Sequence, residues 1–263
     1  MGRVLLLTLT ALTYLLVLGP ILIVLVTAFS PTEFFVFPPP GFSLRWFYAF
    51  FENESLRNAF MRSLALAALS CTVATVLGTM AALYIARRRG LVFTILQALF
   101  LAPLIFPAIV LGLSLLLFYK LIGGMSEFPG LIIAHAVLGT PFVVRAVSAS
   151  VLAVDPVLEE ASQSLRAGPL RTFRLITMPL IWPGIISGAL FAFILSLGEL
   201  NTALFLTGPG VTTLPIEIFS YLQFQGGQLV IAAASAVQVG IIVVMVVIVE
   251  RLIGLRRIVR SPS

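Results

Sequence analysis

Six long runs of apolar residues constrain the fold of this sequence more than any other feature. A helix needs about 20 apolar residues to cross the ~30 Å hydrocarbon core of a bilayer, and each run is at least that long. The runs predict an all-α membrane protein with six transmembrane helices, at about 5–29, 59–86, 91–119, 129–152, 181–204 and 229–249.

The composition agrees with this class of protein. Hydrophobic residues make up 60% of the chain and charged residues only 10%, whereas soluble domains carry about 25% charged residues. The first run is longer than the core of a signal peptide, which has about 7–15 residues, so we expect it to be an uncleaved span. The third run contains Pro103 and Pro107, which predict a kink or a break. Residues 30–58 predict an external loop with an interfacial aromatic stretch.

The sixteen basic residues predict how the chain lies in the membrane. They stand at the ends of the apolar runs and are not grouped with polar and aromatic residues, so the net charge of +6 does not indicate a nucleic-acid-binding face. Six spans place both termini on one side. If that side is the cytoplasm, twelve basic residues lie inside, and the four outside are Arg45, Arg57, Arg62 and Lys120. The positive-inside rule therefore predicts that both termini and residues 153–180 are cytoplasmic.

Residues 153–180 are polar and predict two short helices joined by a turn. Asp155 is suited to cap the first helix, and Pro156 to occupy its first position, where no N–H is needed. An apolar stripe then recurs at helical spacing, at Val157, Leu158, Ala161 and Leu165. The sequence Ala167-Gly168-Pro169 interrupts this helix, and we expect Gly168 to take the left-handed conformation of the exit.

The second short helix also has two faces. Its apolar residues and its two arginines lie on different sides: Leu170, Phe173 and Ile176 on one, Arg171 and Arg174 on the other. We expect Pro179 to end this helix, because proline lacks the N–H that continues the hydrogen-bond pattern.

Several classes of function lack the residues that they need. The chain contains no G-x-x-x-x-G-K-[ST] motif, and its only lysine, Lys120, lies at the external end of a span, so we expect no nucleotide-binding site. One histidine, His135, and one cysteine, Cys71, do not make a metal site, a disulfide framework or a Ser/His/Asp centre. We therefore expect no enzymatic activity, and we expect His135 to make a hydrogen bond between helices. The classes of function that remain are transport, scaffolding and membership of a larger complex.

Glu199 is the most unusual charge, because it lies within the predicted fifth span. Insertion of a charge at the centre of a membrane helix costs roughly 2.5–3.5 kcal/mol, so the carboxylate should face a cavity or a partner. It either lines the passage and attracts a cationic solute, or makes a structural hydrogen bond across a subunit interface. Asn201 would be its polar companion on the outer side of the pathway.

The hairpin residues Glu160-Ala161-Ser162, with Ile176 and Met178-Pro179, resemble the EAA loop of the permease subunits of binding-protein-dependent ABC importers. That loop reads E-A-A, three residues, Gly, nine residues, Ile, one residue, Leu-Pro. Ser162 and Met178 are mild replacements, whereas Arg166 stands where the loop has glycine. We expect Gly168 to supply the turn in its place.

This resemblance implies a fold, a location and partners. It implies that residues 1–263 form a single permease domain with the type I ABC importer fold in a bacterial inner membrane. Its implied partners are a second permease subunit, identical or different, two cytoplasmic ATPases that bind ATP and Mg, and an external solute-binding protein. The ATPase-coupling residues that it implies are Glu159, Glu160, Ala161, Ser162, Arg166, Gly168, Ile176 and Pro179; it implies no catalytic residue and no cofactor in this chain.

Three further segments, at 37–47, 205–215 and 250–252, resemble spermidine/putrescine-type permeases. The resemblance implies a polyamine or similar small solute, and related permeases carry iron(III) or aminoethylphosphonate. A secondary carrier and a non-transporting membrane scaffold are the alternative functions. The scarcity of acidic residues within the spans argues against an ion-coupled carrier.

Overall fold

The computed structural model describes residues 2–208, 210–224 and 229–259, with side chains described from residue 4 to residue 254. Pro209, in a predicted motif, and Arg260, in the predicted cytoplasmic group, lie outside the described residues. The described part forms twelve α-helices and no β-strand. In chain order these are α1 (Gly2–Thr27), α2 (Arg45–Glu52), α3 (Glu54–Ile85), α4 (Leu91–Leu101), α5 (Ala108–Leu121), α6 (Glu127–Ala153), α7 (Pro156–Ser164), α8 (Pro169–Thr172), α9 (Met178–Gly198), α10 (Ala203–Leu206), α11 (Leu214–Phe224) and α12 (Val230–Val259).

Five helical segments of the described chain are long and apolar enough to cross a membrane, and each corresponds to one of the six predicted spans. The second begins earlier than predicted, and the fifth includes the second arm of the predicted hairpin. These segments are Val4–Thr27, Glu54–Ile85, Glu127–Ala153, Pro169–Gly198 and Val230–Gly254.

The third predicted span is a pair of helices, Leu91–Leu104 and Ala108–Leu121, bent by 103°. Pro103 lies in a 3₁₀ turn at the end of the first helix, and Pro107 precedes the second. The predicted break is confirmed, since each proline lacks the N–H that a continuous helix would bond. The pair is either one broken span or a re-entrant loop, so the cytoplasmic placement of both termini stays a prediction.

The chain divides into two compact units, and the first comprises residues up to 61 together with 216–243. Here the predicted external loop contains a helix, α2, which buries Trp46 and Phe50 one turn apart. The indole Nε1 of Trp46 donates to the carbonyl oxygen of Thr32 at 3.1 Å, and the ring of Phe50 packs edge-on against Phe60. The aromatic stretch is helical because its large side chains recur every four residues and share one buried face.

The second unit comprises residues 62–215 and those from 244 onward, and α6 packs against α9 within it. The two helices are antiparallel, since Gly139 lies against Ala192 and Gly188 against Val143. A methyl group on Gly188 would lie 2.8 Å from the Cα atom of Val143, so the backbones are in close contact. Small residues allow this approach between membrane helices. Because α6 leads into the hairpin and α9 leaves it, this packing positions the base of the hairpin.

A buried polar contact joins three helices of the second unit. His135 of α6 places Nδ1 2.8 Å from the Oγ atom of Ser196 in α9, and Ser70 of α3 donates to the same Oγ at 3.0 Å. This contact confirms the predicted hydrogen bond of His135 between helices, and the side chain is buried, at 2% exposure. Its Nε2 has no hydrogen-bond partner among the described residues.

Candidate functional site: the hairpin between α6 and α9

The first arm of the hairpin begins as the sequence predicts. The Asp155 carboxylate accepts a hydrogen bond from the Val157 N–H at 3.0 Å, and Pro156 is the first residue of α7. The carboxylate satisfies one of the amide groups that the first turn of a helix leaves unpaired. The predicted N-cap is therefore confirmed.

The turn after α7 differs from the prediction. Arg166 has φ 61°, whereas Gly168 has an extended backbone with φ −69° and ψ 162°. The Arg166 N–H donates to the carbonyl of Gln163 at 2.8 Å, and the Ala167 N–H donates to that of Ser162 at 3.2 Å. These two bonds form a Schellman motif, in which the residue directly after the C-cap has a left-handed backbone conformation. Our expectation that Gly168 supplies the turn was wrong, because α7 ends at Ser164 with Leu165 as its C-cap, and Gly168 precedes α8 instead.

The second arm runs directly into the fifth span. After α8 the chain makes a π-helical turn, Phe173–Thr177, and continues as α9 without a break. The N–H of Met178 donates to the carbonyl of Phe173, as the wider π turn requires. The prediction that Pro179 ends this helix was wrong. Membrane helices tolerate proline because a local π adjustment re-pairs the backbone groups that the missing N–H leaves free.

A side-chain hydrogen bond connects the two arms. The hydroxyls of Ser162 in α7 and Thr172 in α8 lie 3.0 Å apart. The hairpin is therefore braced at two places, at the turn through the Schellman bonds and between the arms through these hydroxyls.

The apolar side chains of the hairpin face outward in this chain. Leu165 is 84% exposed and Leu170 is 70% exposed, and Val157 and Leu158 are exposed as well. Phe173 and Ile176 are half-buried. A groove of about 640 Å³ follows the second arm and is lined by Gly168, Pro169, Leu170, Arg171, Arg174 and Leu175. Apolar side chains beside two arginines give this face the character of a docking surface.

The two adjacent carboxylates of α7 point in different directions. Glu160 is exposed, as is Ala161. Glu159 is half-buried and receives hydrogen bonds from Arg87 Nη1 at 2.6 Å and from the Thr177 hydroxyl at 2.7 Å. The sequence predicted neither partner, since Arg87 lies 72 residues away and served only to indicate orientation.

Glu199 lies at the end of the fifth span and not within it. It follows the last residue of α9 with an extended backbone and is 9% exposed. One carboxylate oxygen accepts the N–H of Thr202 at 2.9 Å, and the Thr202 hydroxyl donates to the carbonyl of Ala108 at 3.0 Å. The structural hydrogen bond of Glu199 therefore lies within this chain, where it shapes the turn before α10. Asn201 is exposed beside it.

Among the described residues, no three His, Cys, Asp or Glu side chains lie together in a way that could hold a metal ion. The described hairpin residues supply hydrogen-bonding, apolar and charged groups.

Comparisons with known proteins connect these features to a family. The model for the family described as binding-protein-dependent transport system inner membrane component matches residues 74–255. The chain is 36% identical over 214 residues to the putrescine transport system permease protein PotI of Escherichia coli (strain K12), which covers 77% of this chain and 74% of that protein. It is 32% identical over 206 residues to the spermidine/putrescine transport system permease protein PotC of the same strain, with 78% and 77% covered. The molybdenum transport system permease protein ModB of Mycobacterium bovis is 32% identical over 188 residues, with 66% and 71% covered.

Solved structures share the fold. A bacterial ABC transporter involved in the import of the acidic polysaccharide alginate matches with a TM-score of 0.72 at 17% identity, covering 97% of this chain and 95% of that chain. The inward-facing MetNI methionine ABC transporter matches with a TM-score of 0.61 at 20% identity, covering 74% and 93%. The predicted type I ABC importer permease fold is confirmed.

Proposed function

The chain belongs to the family of binding-protein-dependent transport system inner membrane components, and we propose that it is the permease subunit of a polyamine importer that is driven by ATP hydrolysis in separate ATPase subunits. As an ABC importer permease subunit of a bacterial inner membrane, it would form the solute pathway together with a second permease, identical or different. Two cytoplasmic ATPases would bind ATP and Mg, and an external binding protein would deliver the solute.

The hairpin is the part of the chain that we assign to ATPase coupling. Its exposed leucines would supply the apolar centre of an interface, and its charges would set register and exclude wrong partners. Glu160, Ala161 and Arg166 lie on its exposed surface, and Ile176 and Pro179 belong to the helix that continues into the fifth span. A hairpin braced between its own arms can transmit a displacement imposed by a partner.

The similarity to putrescine and spermidine/putrescine permeases supports a polyamine as the solute. The observation that carries the proposal is the 36% identity over 214 residues to a putrescine permease, in a chain whose hairpin presents an uncovered apolar and charged face. Glu199, with Asn201 beside it, would attract a cationic solute to the pathway. The chain is also similar to a molybdenum permease, so permeases of similar sequence differ in their solutes. Iron(III) and aminoethylphosphonate, which permeases of the resembling group carry, are the alternative substrates.

Uptake by the reconstituted complex tests the proposal. We expect proteoliposomes that contain both permeases, the ATPases and the binding protein to accumulate labelled putrescine or spermidine only when ATP is supplied to the ATPase side. Uptake without nucleotide would indicate a secondary carrier. The absence of both uptake and binding-protein-stimulated ATP hydrolysis would indicate a scaffold. ATP-driven uptake of iron(III) or aminoethylphosphonate in place of polyamine would contradict the proposed substrate.

The coupling role has its own test. Glu160→Lys reverses an exposed charge on the proposed interface, so we expect loss of ATPase co-purification or of ATP-driven uptake while the chain still inserts in the membrane. Normal uptake by this variant would contradict the assignment.

A further inference from the structure

Arg87 follows the end of α3 and binds groups from two other helices. Its Nη2 donates to the carbonyl oxygens of Val151 at 3.1 Å and Val154 at 3.2 Å, at the C-terminal end of α6. Its Nη1 lies 2.6 Å from a carboxylate oxygen of Glu159 in α7. The end of a helix leaves carbonyl groups unpaired and carries partial negative charge, so a guanidinium is well suited to this position.

Glu159 extends this contact to a third element. Its other carboxylate oxygen accepts the hydroxyl hydrogen of Thr177, at 2.7 Å, and Thr177 lies in the π-helical turn before α9. A single carboxylate therefore receives hydrogen bonds from Arg87, two residues after α3, and from Thr177, in the π turn directly before α9. We name Arg87, Glu159 and Thr177 the Arg87 strut.

An open pocket lies beside the Arg87 strut. It has a volume of about 230 Å³ and is lined by Leu83, Arg87, Val151, Glu159, Gln163, Pro169, Thr172, Phe173 and Thr177. The hairpin is thus joined to the end of α3 here by directional hydrogen bonds beside an open space.

The connection of α3 to the hairpin differs from that of its neighbours. Helix α6 leads into the hairpin and α9 continues from it, so both follow its movement through the backbone. Helix α3 has no such covalent continuity. We propose that the Arg87 strut makes the end of α3 move with the hairpin, so that a displacement imposed at α7 and α8 reaches three helices of the second unit. This inference rests on the proposed coupling role of the hairpin.

The strut is a positioning device and contributes little to stability. Both side chains of its ion pair are partly exposed, 31% for Arg87 and 22% for Glu159, and such pairs add little to the stability of a fold. Replacement of Arg87 should therefore leave the complex assembled and remove the direct contact between the end of α3 and the hairpin.

The test follows the end of α3 in the full complex of permeases and ATPases. Cys71→Ser removes the sole cysteine and Arg89→Cys places a label site two residues beyond Arg87, at an exposed position. The rate of maleimide labelling is compared between the nucleotide-free complex and the complex trapped with ATP and vanadate. We expect the rate to change at least threefold on trapping, and the change to fall below 1.5-fold in Arg87→Ala and Glu159→Met, which each remove the contact between α3 and α7.

A neighbouring arginine supplies the matched control. The guanidinium of Arg88 stacks on Tyr84 at 4.2 Å and not on the hairpin, so Arg88→Ala removes the same charge and should retain the change. The double variant Arg87→Ala/Glu159→Met should match either single variant, because both substitutions remove the same contact. Independent structural damage would instead make the double variant worse than either.

Two results would contradict the proposal that the Arg87 strut makes α3 move with the hairpin. One is an unchanged labelling rate on trapping in the otherwise native complex, which would show that α3 does not follow the hairpin. The other is a change that persists in Glu159→Met, the variant that approximately preserves side-chain length, removes the carboxylate and is expected to fold. If the ATPases do not co-purify with the native chain, both the coupling role of the hairpin and the proposal for Arg87 are wrong. If the ATPases co-purify and one of these two labelling results is seen, only the proposal for Arg87 is wrong.

Discussion

Arg166 occupies a left-handed backbone conformation at the position where the EAA-type loop has glycine. This conformation costs a residue with a Cβ atom about 1–2 kcal/mol. The cost is offset because the Schellman bonds from the Arg166 and Ala167 N–H groups pair carbonyl groups in the last turn of α7. The turn geometry of the loop is therefore retained while a cation is added to the exposed surface of the hairpin.

Replacement of this arginine by glycine should stabilise the turn. We expect Arg166→Gly to gain about 0.5–1 kcal/mol, since the relief of strain exceeds the greater entropy that glycine loses on folding. Amide hydrogen exchange at Ala167 should then slow about two- to five-fold. Arg171→Gly, the same change within a helical turn, should speed exchange in α8, because glycine weakens helices by about 1 kcal/mol. Faster exchange at Ala167 in Arg166→Gly would contradict the explanation.

Glu199 combines a structural and a proposed electrostatic role, and one substitution separates them. In Glu199→Gln the amide oxygen can still accept the Thr202 N–H, while the negative charge is lost. If the carboxylate attracts a cationic solute, kcat/KM for putrescine uptake should fall at least threefold with unchanged assembly. Glu54→Gln, at an exposed carboxylate predicted to lie on the same side of the membrane, should leave uptake unchanged. Equal uptake by Glu199→Gln and the native chain would leave Glu199 with the structural role alone.

At the scale of elements, the second arm of the hairpin and the fifth span are one helix from Pro169 to Gly198. A displacement of α8 is therefore a displacement of α9, with the π turn between them. Close backbone packing then passes the displacement to α6, because Gly184 and Gly188 leave no space between the two helices.

This packing predicts a strong effect of one methyl group. In Gly184→Ala the new carbon would lie 2.7 Å from the Ala146 carbonyl oxygen and 2.8 Å from Ser150 Cβ, so α6 and α9 must separate. Overpacking of this kind costs about 1–3 kcal/mol, and the thermal unfolding temperature in detergent should fall. Gly240→Ala, the same change in α12 with no atom within 4 Å, should leave that temperature equal or slightly higher. A drop of similar size in both variants would show that helix packing is not the cause.

At the scale of the whole molecule, the path of the chain across the membrane depends on α4 and α5. If the bent pair spans the bilayer, three spans separate residues 30–44 from the hairpin, and the two segments lie on opposite sides. If the pair is re-entrant, two spans separate them and they lie on the same side.

Cysteine labelling distinguishes these paths. Phe42→Cys and Leu165→Cys, each in a Cys71→Ser background, place labels at side chains that are 81% and 84% exposed. We expect an impermeant maleimide to label the first in intact spheroplasts and the second only in inside-out vesicles, since the distribution of basic residues places the hairpin in the cytoplasm. Labelling of both positions from one side would mean that the pair is re-entrant, and labelling of Leu165→Cys from outside would contradict the predicted orientation.

Features that depend on near neighbours and on partition into hydrocarbon could be read from the residue order. They include five apolar spans, the proline break between α4 and α5, the Asp155 cap and the EAA-type hairpin, because each is set within a few residues or by the length of an apolar run. Three features became known from the folded chain: Arg166 takes the left-handed turn, the helix continues through Pro179, and Glu199 closes a turn at the end of its span. The contact between Arg87 and Glu159, 72 residues apart, likewise depends on how the ends of α3 and α6 meet the hairpin, and no local pattern encodes that meeting.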